Sequence, residues 1–140
     1  MRFTQSVITK TLRLGNPVAL LWREAMENVK LNEKVIPKCW KMVCAIQEAQ
    51  LNSALFDRPY EFNPWRHKQE KLPLLAFGGA PRYCPGAELA PAKICIFLHY
   101  LVTKFNLKSC GEDTVSFFPV PKFSNGLQVQ MHEHDSSTKI

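Results

Sequence analysis

The sequence predicts an α+β fold that is mainly helical. Three observations carry this. Residues 3–14 and 87–105 repeat their apolar side chains at helical spacing. Short runs rich in β-branched residues are bounded by turn signals. Between them lie stretches dense in proline, glycine and aromatics that have no period. A length of 140 residues suits one ordinary domain, and a 46% hydrophobic content can build a core.

In chain order, Phe3 to Leu14 reads as a helix with Phe3, Val7, Ile8, Leu12 and Leu14 on an approximate apolar face. Gly15-Asn16-Pro17 should stop it, with the glycine taking the left-handed cap and the proline barring continuation. Strands and loops follow over residues 18–76. Val18 to Trp22 is extended. Asn28 to Ala45 reads as a hairpin, with Val29-Lys30-Leu31 and Val35-Ile36 flanking Asn32-Glu33-Lys34 and the second arm running on through Trp40 and Val43. Ser53 to Lys71 has the aromatics and prolines of an ordered, irregular loop. Residues 77–86 form a shaped loop, and Ala87 to Phe105 the longest helix, with Leu89, Ala92, Ile96 and Phe97 roughly on one face. Asn106 to Ser109 and Leu127 to Met131 read as strands of a C-terminal section, residues 106–131. Phe117 to Pro121 cannot be a regular central strand, because two prolines remove donors. Asn125-Gly126 signals a turn, and residues 132–140 a frayed tail.

A formal net charge of +6 suits an acidic partner surface, a membrane face or nucleic acid, or simply a solvated basic surface. Lys and Arg are scattered and no nucleic-acid motif stands out, so no nucleic-acid partner is expected. The cysteines at 39, 44, 84, 95 and 110 are odd in number and irregular in spacing. That argues against a disulfide framework and for reduced thiols. Cys39 and Cys44 with His132 and His134 could form a zinc site, but the spacing is loose and the histidines lie in the expected tail. No apolar run approaches the roughly 18 residues that span a bilayer. Residues 1–6 already read as the inside of a helix, so the start looks like a cut through a larger protein.

The segment richest in chemistry is Phe77-Gly78-Gly79-Ala80-Pro81-Arg82-Tyr83-Cys84-Pro85-Gly86. A lone cysteine in a turn is ordinarily a small buried hydrophobe. Here the cysteine precedes a long apolar helix, whose N-terminal N–H groups and dipole favour a thiolate. Arg82 adds a cation two residues away, and the flanking glycines let a flat ligand approach the backbone. Such a thiolate is a candidate iron ligand or nucleophile.

This segment resembles the haem-ligand loop of the cytochrome P-450 family, F-x-x-G-x-R-x-C-x-G. Phe77, Arg82, Cys84 and Gly86 match it, and Ala80 stands where the pattern has its first glycine. The resemblance implies haem b, with the Cys84 thiolate as axial iron ligand pushing electron density onto the metal. It implies that Phe77 packs beside the ligand, that Arg82 pairs with a propionate, and that Gly86 lets the helix start lie close under the porphyrin. Three further segments agree, in family order. Val7 to Leu14 resembles the helix that carries E-x-x-R, and Trp22-Arg23 resembles the strand whose arginine reaches the other propionate. Phe62-Asn63-Pro64-Trp65-Arg66 resembles the loop whose arginine joins the E-x-x-R pair.

The resemblance covers nearly the whole chain. It is nearest to plant members that oxidise sterols, brassinosteroids and related terpenoids, which are several times longer. Residues 1–140 would then be a single partial domain, an incomplete C-terminal portion of that fold. The parent enzyme would hydroxylate a sterol- or terpenoid-like substrate with O2 and electrons from an NADPH-dependent reductase, on the cytosolic face of the endoplasmic reticulum membrane. No anchor is visible in these residues. Lys68, Lys71 and Lys93 would steer the reductase, and Pro17, Val18, Leu20, Phe118 and Val120 would line the substrate pocket. Absent are the oxygen-activating helix and most of that pocket, so the isolated chain should fold poorly and leave an apolar face of its long helix uncovered.

Four positions depart from the pattern. Lys10 takes the place of the glutamate that bridges the arginines at 13 and 66, so the bridge is lost whether or not the lysine swings out to water. Breaking a buried pair costs about 3–5 kcal/mol. Ala80 replaces a glycine expected to need a special backbone angle, Pro91 should kink the long helix, and Cys39 occupies a turn where glycine is usual. Such departures fit a divergent member, a faulty gene model, or a decayed, catalytically dead fragment that at most binds a partner.

Overall fold

A computed structural model describes residues 2–65, 74–111, 114–117 and 120–134. Helix α1 (Arg2–Gly15) carries the first amphipathic pattern and packs against α3 (Leu89–Lys104). Between them lie β1 (Leu20–Glu24), β2 (Val29–Leu31), β3 (Lys34–Ile36), β4 (Lys41–Ala45) and a short helix, α2 (Ile46–Gln50). After α3 come β5 (Phe105–Ser109), β6 (Val115–Ser116), β7 (Lys122–Phe123) and β8 (Val129–Glu133). The strands form antiparallel pairs β1–β4, β2–β3, β5–β8 and β6–β7. The fold is therefore mixed rather than mainly helical: among the described residues three helices share the chain with eight short strands.

The stop of α1 differs from expectation. Gly15 stays in the helix, and Asn16 takes the left-handed conformation (φ 39°) while its N–H donates to the Leu12 carbonyl at 3.0 Å. Asparagine tolerates this region, and the following proline disfavours the right-handed helical one. The hairpin is also shorter than its sequence suggests. β2 and β3 pair around Asn32 (φ 52°), but Pro37 ends the second arm. The chain turns at Cys39, whose φ of 67° explains the usual glycine, and its N–H donates to the Ala25 carbonyl at 2.7 Å. Residues 41–45 then pair with β1, from Leu20 opposite Ala45 to Glu24 opposite Lys41, and Glu24 and Lys41 form a cross-strand ion pair.

Pro91 is the third residue of α3, not an interior one. The N–H groups of a first turn have no partner within the helix, so the missing donor costs little there. Residues 132–134 are not the expected tail: His132 and Glu133 lie in β8, and the His134 N–H donates to the Lys104 carbonyl at 2.9 Å. Residues 135–140 fall outside the described set.

The buried core is small, with Ile8, Ala25, Phe56, Ala87 and Cys95 its apolar members. α3 buries only Cys95 and exposes Leu89, Ile96, Phe97 and Tyr100, which share one face at helical spacing. Exposed apolar surface on this scale has no covering layer among the described residues.

Candidate functional site

The loop before α3 is built from two 3-10 turns, Leu75–Phe77 and Ala80–Arg82. The first closes through the Gly78 N–H to the Leu75 carbonyl at 2.8 Å. Gly78 itself has φ 80° and ψ −154°, a region only glycine occupies readily. The Cys84 N–H donates to the Phe77 carbonyl at 3.0 Å and ties the two turns together. The Cys84 carbonyl accepts the Ala87 N–H at 3.2 Å, and the Gly86 carbonyl accepts the Ala90 N–H at 2.9 Å, leading the chain into α3. A Cβ on Gly86 would lie 3.8 Å from the Cys84 Sγ, so the absent side chain keeps one flank of the sulfur open. The special angle expected at position 80 falls instead at Gly78. Ala80 starts a 3-10 turn, a conformation open to any residue.

β1 supplies the opposite wall. Its burial alternates, so Leu21 and Arg23 face inward while Leu20 and Trp22 face out. Arg23 donates to the Trp22 carbonyl at 2.8 Å. Together with the end of α1, these elements enclose a cavity of about 330 Å3 lined by Leu12, Pro17, Val18, Leu21, Arg23, Ile46, Leu75, Ala76, Phe77, Gly78, Arg82 and Cys84. Cys84, which is exposed, and two arginines thus line one otherwise apolar hollow. Among the described residues Arg82 makes no hydrogen bond or ion pair, so its cationic end is available.

The family profile described as "Cytochrome P450" matches residues 1–132. The chain belongs to the cytochrome P-450 family. Similar curated plant proteins include tomato Cytochrome P450 85A1, 38% identical over 138 residues, which cover 96% of this chain and 30% of that protein. The Cholesterol 22-hydroxylase CYP90B27 of Paris polyphylla is 37% identical over 98% of this chain and 30% of its own length. The Arabidopsis thaliana 3-epi-6-deoxocathasterone 23-monooxygenase CYP90D1 is 39% identical over 91% and 26%. The solved structure of a retinoic acid bound cyanobacterial CYP120A1 superposes with a TM-score of 0.85 at 25% identity, covering 96% of this chain and 34% of that one. This chain therefore has part of the cytochrome P-450 fold and spans about 30% of the length of the first two plant relatives. The uncovered face of α3 accords with that.

Within this cytochrome P-450 segment, Phe77, Arg82, Cys84 and Arg23 meet at one cavity, with Gly86 beside the sulfur. Pro17 and Val18 line the same cavity. Leu20 does not, because strand alternation puts Leu21 there instead; Val120 does not line it either, and Phe118 lies outside the described residues. Leu21 and Gly78 belong to segments that the sequence singles out, residues 17–21 and 77–86; Ile46, at the start of α2, carries no signal there.

In α1, the helix expected to resemble the one carrying E-x-x-R, Lys10 and Arg13 are both buried. Lys10 does not swing out: it is 1% exposed and sits one turn from buried Arg13. The Arg13 guanidinium is held by backbone carbonyls, donating to Pro59 at 2.6 Å, Gln50 at 3.0 Å and Glu61 at 3.4 Å, and its carbon lies 5.2 Å from the Phe56 ring centroid. Arg66, Lys68 and Lys71 lie outside the described residues. Cys39 and Cys44 are free and exposed, and no group of three metal-ligating side chains occurs among the described residues.

Proposed function

We propose that Cys84 would supply a thiolate ligand to a haem b iron and that Arg23 and Arg82 would hold its two propionates. The observation that carries this is the convergence of one exposed thiol and two cationic side chains on a single apolar cavity. The donor set suits the group. A flat apolar macrocycle with two anionic arms needs apolar walls, two cations and, for a soft-ligand iron site, one sulfur. Gly86 leaves room beside the sulfur, and Phe77 packs at the same wall.

A haem held there would supply the oxygen-activating chemistry, its iron tuned by the Cys84 thiolate. The chain's own residues do the rest. The Phe77 carbonyl fixes the Cys84 backbone, and Arg23 and Arg82 orient the ring. Pro17, Val18 and Leu21 give an apolar wall on which a sterol- or terpenoid-like substrate can lie.

For the full-length protein the reading is a plant monooxygenase that hydroxylates such a substrate with O2 and NADPH-derived electrons. A reductase docks near the cysteine side and is steered in part by exposed Lys93. In this reading the full-length protein works at the cytosolic face of the endoplasmic reticulum. No helix among the described residues is long and apolar enough to cross a membrane. The second reading is a fragment without catalysis, favoured by the uncovered face of α3 and the buried lysine at position 10. A haem titration separates the two. Saturable binding that weakens about tenfold in Arg23→Ala and again in Arg82→Ala supports the cofactor reading. Absence of saturable binding supports the fragment.

A further inference from the structure

We propose that His134 is the latch of the C-terminal ribbon: its imidazole and its own backbone N–H together fasten the end of β8 to the last turn of α3. A helix leaves its final carbonyls without partners inside the helix. In α3 the Leu101 carbonyl is taken by the Phe105 N–H, where the chain leaves the helix. His134 serves two more. Its backbone N–H donates to the Lys104 carbonyl at 2.9 Å, and its ring Nε2 lies 3.3 Å from the Val102 carbonyl oxygen. A carbonyl oxygen can only accept, so this contact requires a hydrogen on Nε2. β5 continues directly from α3, whereas β8 returns after residues 110–128 and meets β5 along a five-residue ladder, from Phe105 opposite Glu133 to Ser109 opposite Val129. Every residue of β8 is exposed, and Leu107 and Met131, opposite each other on one face, are both exposed too. Among the described residues, apolar burial therefore does little to hold β8 to the helix, and the two contacts of His134 do it instead. His132 is the internal comparison. It stands opposite Asn106, two residues before the latch, and its side chain makes no hydrogen bond among the described residues. The latch is independent of whether Cys84 ligates iron.

The test uses the full chain labelled with nitrogen-15 and reads amide hydrogen exchange by NMR. His134→Leu removes the ring donor. It should speed exchange of the residue 134 amide and the adjoining β8 amides about fivefold, the fold-change of one ordinary hydrogen bond, while β1 and β4 keep their rates. His134→Gln puts an amide nitrogen near the place of Nε2 and should restore the native rates. His134→Asn, whose nitrogen reaches only as far as Nδ1, should not. His132→Leu should leave the residue 134 amide unchanged. Unchanged exchange in His134→Leu, equal acceleration in His132→Leu, or equal rates in the glutamine and asparagine variants would overturn the proposal. If His134→Leu loses protection throughout the chain, the native protein decides. Its His134 ring nitrogen resonances should show a hydrogen on Nε2, and a bare Nε2 would overturn the latch.

Discussion

Removing the Arg13 guanidinium should release the loop of residues 50–61. Arg13 is 2% exposed and donates to carbonyls on three separate residues of that loop. Two of the contacts, at 2.6 and 3.0 Å, have full hydrogen-bond geometry; the third, at 3.4 Å, is weak and is left uncounted. Hydrogen bonds from a charged donor contribute about 1.5–3 kcal/mol each, so the pair amounts to about 3–6 kcal/mol. At 1.4 kcal/mol per factor of ten, loop opening should rise at least about a hundredfold in Arg13→Ala, or to the unprotected limit. The assay is hydrogen exchange at the Leu51, Leu55, Phe56 and Glu61 amides, each of which has a local carbonyl partner. Arg58→Ala is the control. Arg58 lies in the same loop and pairs with Asp57 and Glu61, but its side chain is 67% exposed, so its loss should stay within about 0.5 kcal/mol. A change below tenfold in Arg13→Ala, or an equal change in Arg58→Ala, would refute the reasoning.

Other outcomes follow from the same geometry. Cys39→Gly relieves a left-handed backbone and should slow exchange of the residue 39 amide severalfold, equivalent to about 1 kcal/mol; faster exchange would show that the cysteine side chain is needed there. The uncovered face of α3 should make the isolated chain bind an apolar dye and unfold without a sharp transition, and Phe97→Glu should reduce the dye binding. A sharp, cooperative melt of the native chain would contradict that.

What could be read from the sequence was local. The Cys84 loop, the turn at Gly126 and the β2–β3 hairpin each announce themselves within about ten residues through glycine, proline and alternation. The pairing of β1 with β4 did not, since a period of two says which face a residue takes and not which strand it meets. Hence Lys41–Ala45 was expected to extend a hairpin arm that Pro37 in fact ends. Short α2, with five residues, carries too little periodicity to be seen. The site showed the same division. The residues around Cys84 are contiguous in sequence, whereas Arg23 was placed only by resemblance. The carbonyl cage around Arg13 is made by irregular backbone, which leaves no signature in residue types.

The central claim is that Cys84 ligates haem iron. The most direct measurement is the carbon monoxide difference spectrum of the reduced, haem-reconstituted chain beside Cys84→Ser. The account predicts a red-shifted thiolate band in the native chain that disappears in the serine variant. A band that survives in Cys84→Ser, or haem bound with no such band in the native chain, would contradict it.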